Sequence, residues 1–85
     1  MQTHLIDPKQ AITAYQAIVE HGQRSQDGYC LEGIRAATDI DGYTVYLSDD
    51  QVALTVYYHY KYQLEYNTPK ELAQFKNKLA KVLAH

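Results

Sequence analysis

The chain has no tryptophan and only one cysteine, one phenylalanine and one methionine among its 85 residues. With Cys30 alone, no disulfide can form within the chain, so packing has to hold the fold. No apolar run approaches the roughly 18 residues that a bilayer-spanning helix needs, which excludes that class. Met1 to Ile6 lack the charged start and long apolar stretch of an export signal, so a reducing cytoplasm is the expected location. Glycine is scarce, and the segment Gly22 to Gly28 fits neither a Walker loop nor a dinucleotide fingerprint. It is expected as a polar loop.

Recognisable catalytic and metal signatures are missing too. His4, His21, His59 and His85 are scattered, with no His-x-x-x-His pair and one cysteine to help them. A zinc site needs four ligands, or three and a water, so no metal is expected. Cys30 falls in an expected strand without the base, cation or helix terminus that activates a thiol. Asp39/Asp41 and Asp49/Asp50 fall at expected hairpin tips, where a short carboxylate hydrogen-bonds the turn rather than doing acid–base work. No calcium-loop ligand pattern follows Asp39. These residues suggest no catalytic group, metal or cofactor.

What the chain does have is tyrosine, nine of them. A ring with a hydroxyl suits strands, half-buried positions and interfaces. The apolar content of 46% is that of an ordinary globular chain. At this length the core is thin, since only somewhat more than ~60% of the unfolded surface is buried.

Two helices are announced by their caps. Asp7, Pro8 and Gln10 open the first, Ile6 can staple onto Ala11, and Ala11, Ile12, Tyr15, Ile18 and Val19 form its stripe. Gly22 is expected to stop it in a left-handed conformation, giving a helix over about residues 8–21. Thr68, Pro69 and Glu71 open the second, with Leu72, Phe75, Leu79, Val82 and Leu83 buried. Lys70, Lys76, Asn77, Lys78 and Lys81 supply its wet surface.

Between the helices, residues 52–66 alternate. Val52, Leu54, Val56, Tyr58, Tyr60, Tyr62, Leu64 and Tyr66 share one parity, and polar residues mostly share the other. Asp41-Gly42 predicts a two-residue hairpin with Ile40 opposite Tyr43, Thr38 opposite Val45 and Ala36 opposite Leu47. A turn over Asp49-Asp50 would set Leu47 opposite Val52, Val45 opposite Leu54 and Tyr43 opposite Val56. All apolar sets then share one face. Past Val56 the strand either runs on to Tyr66, the favoured reading, or folds back through His59-Tyr60-Lys61, with Tyr58 opposite Tyr62 and Val56 opposite Leu64. The expected architecture is one α+β domain over residues 1–85, α-β-β-β(-β)-α. It is an antiparallel meander with both helices on one face.

The segment Asp27-Gly28-Tyr29-Cys30-Leu31-Glu32-Gly33-Ile34, followed by Asp39-Ile40-Asp41-Gly42-Tyr43-Thr44-Val45-Tyr46-Leu47, resembles a family of short bacterial proteins of unassigned function. The resemblance covers the middle half of the chain. It implies a stand-alone single-domain protein and brings no functional residues.

Charge is uneven. Residues 1–66 carry four Lys/Arg and nine Asp/Glu, leaving −5, and residues 67–85 carry +3. A solvated basic face is the leading reading of that tail, and the overall −2 disfavours unselective nucleic-acid binding. The wet sheet face collects Arg35, Thr44, Tyr46, Thr55 and Tyr57, with His59 and Lys61 further along. Arg35, Tyr46, Tyr57, His59 and Lys61 are the candidate binding residues. Tyr58, Tyr60 and Tyr62 are candidates for self-association along an exposed edge. The expected partner is another protein or a second copy, without a membrane. A single-stranded nucleic acid on the wet face or the lysine helix, and a small molecule in a tyrosine-lined pocket, are the alternatives.

Overall fold

The computed structural model describes residues 6–26, 28–40, 42–57, 59 and 61–85. Helix α1 (Pro8–His21) leads into strands β1 (Gln23–Ser25), β2 (Gly28–Leu31), β3 (Ile34–Thr38), β4 (Val45–Ser48), β5 (Ala53–Val56) and β6 (Tyr62–Glu65), and helix α2 (Pro69–Leu83) closes the chain. The strands form one antiparallel sheet in sequence order, β1 to β6. Helix α1 packs on the sheet from β1 to β5, and α2 packs on α1. The apolar side chains of both helices join those of the sheet in a single cluster. This is the α+β order that the sequence predicts, with more strands.

Both helices begin as their caps require. The Asp7 carboxylate accepts the Lys9 N–H at 2.9 Å, and Thr68 Oγ1 accepts the Glu71 N–H at 3.2 Å. Glu71 in turn accepts from the Asn67 N–H, one residue ahead of the cap. In α2 the buried residues are Leu72, Phe75, Leu79 and Val82. In α1 they are Ala11, Ala14 and Ile18, while Ile12 and Tyr15 pack at the margin. Two alanines at the centre of the stripe let the α1 backbone approach its neighbours closely. The fully buried Phe75, Ile18, Leu47 and Leu54 then fill the core, each contributing about 1.5–3 kcal/mol.

Gly22 ends α1, but not in a left-handed conformation. Its φ and ψ of −84° and 177° are extended. Glycine is needed for space, because a Cβ there would lie 2.6 Å from the Cys30 carbonyl oxygen. The segment expected as a polar loop contains β1, whose three residues are all exposed. A strand that buries neither face leaves no alternation to read. The β2–β3 turn runs through Glu32 and Gly33, both at positive φ, the backbone that a tight two-residue hairpin prefers.

The first expected hairpin is observed. Thr38 faces Val45 and Ala36 faces Leu47. Its tip departs from the expected pairing, with Ile40 fully exposed and Tyr43 mostly so, and Asp41 lies outside the described residues. Asp39 holds the tip by accepting the N–H groups of Tyr43 and Thr44.

The second turn is displaced by one residue, over Asp50-Gln51. Val45 therefore faces Val56 and Leu47 faces Leu54, a shift of two from the expected register that keeps every apolar residue on the core face. The cause is Asp49. Its Oδ1 accepts the Gln51 N–H at 2.8 Å and the Val52 N–H at 2.7 Å, so Asp49 becomes the first corner of the turn.

The favoured continuous strand over residues 52–66 is also corrected. The chain folds back about His59, whose φ is +70°, and the Tyr57 N–H donates to the Lys61 carbonyl at 2.6 Å. Val56 faces Tyr62 and Leu54 faces Leu64, a register two residues from the hairpin that would set Val56 opposite Leu64. A lone strand past Val56 would leave both edges unpaired, whereas folding back gives β5 a full ladder.

Asp49 also reaches across to α2. Its Oδ2 accepts from Lys78 Nζ at 3.1 Å, with the carboxylate almost wholly buried. Lys78 is therefore an anchor rather than part of the wet helix surface. Burial pushes the Asp49 carboxyl up, but the Gln51 and Val52 N–H groups and Lys78 outweigh it and hold the carboxyl below its ordinary 3.8.

Two outcomes are expected. Asp49→Ala strands two turn N–H groups and Lys78, and should cost about 2–4 kcal/mol by urea unfolding. Asp49→Asn should cost less and remove part of the acid sensitivity. Because the folded carboxyl titrates below its unfolded value, its contribution is complete above pH 3.8 and is lost as pH falls through the folded value. A wild-type acid limb no steeper than that of Asp49→Asn would contradict this. Separately, Gly22→Ala should lower stability by about 1–3 kcal/mol, because the Cβ would press on the backbone carbonyls of both Ile18 and Cys30. A thermal midpoint equal to wild type would show that the approach relaxes freely.

Candidate interaction surface

Helices cover one face of the sheet, and among the described residues nothing covers the other. Its cross-strand rows follow from the register. One row runs Cys30, Arg35, Ser48, Ala53 and Glu65, and the next runs Gly28, Ala37, Tyr46, Thr55 and Gln63. Arg35 and Tyr46 are diagonal neighbours on β3 and β4. Tyr46 and Tyr57 are diagonal neighbours across β4 and β5, and Tyr57 lies beside Lys61. Four of the five expected binding residues therefore form a stripe, one from each of four successive strands or strand ends. By sheet geometry it spans about 20 Å. His59 sits beyond the stripe at the bend between β5 and β6.

The stripe is exposed but held. Tyr46 is 44% and Tyr57 40% exposed. The Tyr57 hydroxyl donates to Gln63 Oε1 at 3.0 Å, and Gln63 Nε2 donates to Glu65 Oε1 at 3.4 Å. Arg35 donates to the Asp49 carbonyl at 3.3 Å and lies 3.8 Å from the Asp50 carboxylate. Its charge is thus partly answered within the chain.

Beside Tyr46 lies a shallow hollow of about 430 Å³, lined by Ser25, Gly28, Arg35, Ala37, Tyr46 and Ser48 among others. Its floor is low because Gly28 and Ala37 carry little side chain. Gly28 has a φ of +155°, and a Cβ there would strike the Ala36 carbonyl. Sequence reasoning missed this floor, since small residues on a wet face give no periodic signal. A second cleft, of about 350 Å³, lies at the sheet end between Ile12, Tyr43, Tyr57 and His59. A third, of about 120 Å³, sits between the helices and includes Lys76.

Of the expected self-association residues, Tyr58 and Tyr60 lie outside the described residues. Tyr62 begins the edge strand β6, and its hydroxyl accepts from the Ile6 N–H at 3.5 Å. Elsewhere, His21 and His85 stack with ring centroids 5.9 Å apart, and His85 Nε2 lies 2.8 Å from Glu32 Oε2. Among the described residues no group of three His, Cys, Asp or Glu side chains could hold a metal ion. No described helix is long and apolar enough to cross a membrane.

The fold is therefore a six-stranded antiparallel sheet with one open face carrying aromatic and cationic groups. Residues 6–85 match the family DUF3081, described as a protein of unknown function, and the chain belongs to that family. No curated protein and no solved structure matches the chain.

Proposed function

We propose that the protein is a non-enzymatic protein-interaction module and that its open sheet face docks another protein. The observation that carries this reading is the diagonal stripe of Arg35, Tyr46, Tyr57 and Lys61 on a sheet face that no described residue covers. Tyrosine and arginine are the side chains that most often anchor interfaces, since each gives large contact area with few rotamers to freeze. The hydrogen bond from Tyr57 to Gln63 pre-orients one ring, which lowers the ordering cost of docking. A nucleic acid is favoured less. Asp50 and Glu65 share the face, and Arg35 already has an acidic neighbour.

Tyr46→Ala combined with Tyr57→Ala should leave the fold intact by circular dichroism. It should weaken a nuclease-resistant protein partner captured from lysate by about 30-fold or more. Capture that is lost on nuclease treatment would instead favour nucleic acid. Unchanged capture by the folded double variant would remove the open face as the site.

A further inference from the structure

We infer that the outer edge of β6 pairs with β6 of a second copy, antiparallel across a twofold axis at Gln63, to make one continuous sheet twice as wide. This deepens the interaction-module reading and rests on it for the partner class. It uses the backbone edge of the sheet rather than the open-face tyrosines, and shares only Lys61 with the stripe.

The argument begins with unpaired backbone. β6 is the last strand of the sheet, and no described strand lies on its outer side. The Tyr57–Lys61 hydrogen bond fixes which residues face inward. By ladder alternation Lys61, Gln63 and Glu65 turn their backbone groups to β5, so those of Tyr62 and Leu64 point outward. An antiparallel copy centred on Gln63 sets each Tyr62 against the partner's Leu64 as a hydrogen-bonded pair.

The side chains select this register. On the core face Tyr62 and Leu64 are only half-buried, so each gains apolar cover from its opposite number. On the open face Lys61 lands opposite the partner's Glu65, and Glu65 opposite the partner's Lys61. Both are exposed, and Lys61 has no ion pair among the described residues. Moving the register by two in either direction loses both charge pairs. The other free edge fits poorly. β1 has three exposed residues, Gln23, Arg24 and Ser25, with no apolar side chain, and pairing β6 to β1 would propagate without closing.

The test is mass by light scattering during size exclusion at low salt, with charge reversals at two exposed positions. Wild type should reach the dimer mass as its concentration rises toward about 1 mM. Lys61→Glu alone, or Glu65→Lys alone, places like charges opposite each other twice and should weaken the dimer roughly tenfold or more. The double variant Lys61→Glu/Glu65→Lys should restore it. An equimolar mixture of the two single variants should form a heterodimer, because each supplies the charge that the other needs.

A wild type that stays monomeric throughout overturns the inference, as does a dimer indifferent to all the reversals. A dimer abolished by Tyr46→Ala/Tyr57→Ala but untouched by the reversals would place self-association on the open face instead. Partner capture that needs the tyrosines in a strictly monomeric protein would sink the edge inference and leave the open-face reading standing. Charge-swap behaviour as described, with capture indifferent to the tyrosines, would do the reverse.

Discussion

Burial of a single sheet face governs this structure. Two helices can cover one side of the sheet, so the apolar residues of every strand must turn to that side. Because strand side chains alternate with period two, each connection can shift its neighbour's register only by an even number of residues. Ile34, Ala36, Leu47, Leu54 and Val56 meet the core under that constraint. An odd shift at any hairpin would exchange a strand's Leu and Val for its Tyr, Thr and Ser.

Within that constraint, polar groups choose among the allowed registers. Asp49 makes the choice for β4 and β5 by taking two N–H groups, which moves the turn one residue along and the pairing by two. The same carboxylate ties the turn to α2 through Lys78. A buried ion pair adds little net stability over an apolar replacement of similar shape. Its value here is positional, since one side chain specifies both a hairpin and the placement of a helix. This gives part of the charge asymmetry a structural use, with the basic C-terminal segment docking one lysine into the acidic body.

Parity was legible in the sequence because burial on one face writes it into the residue types. Helix starts were legible because Asp7-Pro8 and Thr68-Pro69 have few other uses. Register was not, because Asp49, Asp50 and Gln51 can each occupy a turn and parity is indifferent among even shifts. β1 was invisible because an exposed edge strand has no apolar face. The return at His59 is not marked in the sequence by a glycine, yet histidine holds φ of +70° there. Pairing β6 to β5 satisfies backbone groups worth more than the local strain of roughly 1–3 kcal/mol. Of the candidate site, the shared face of Arg35, Tyr46, Tyr57 and Lys61 followed from parity, but their diagonal alignment required the corrected registers.

The open face and the free edge are consequences of the same construction. A sheet covered on one side leaves a wet face, and a meander that never closes leaves two edges. β1 is blunted by being short and polar, the usual protection against unwanted pairing. β6 lacks that protection, with Tyr62 and Leu64 alternating with Gln63 and Glu65. Lys61 and Glu65 flank its centre with opposite signs rather than one repelling sign. A strand selected only to stay single would carry like charges there, since those repel an antiparallel copy at both ends. Opposite charges placed symmetrically about Gln63 instead discriminate among partners, favouring a strand with the reversed order of signs. The strand that supplies that order is β6 itself.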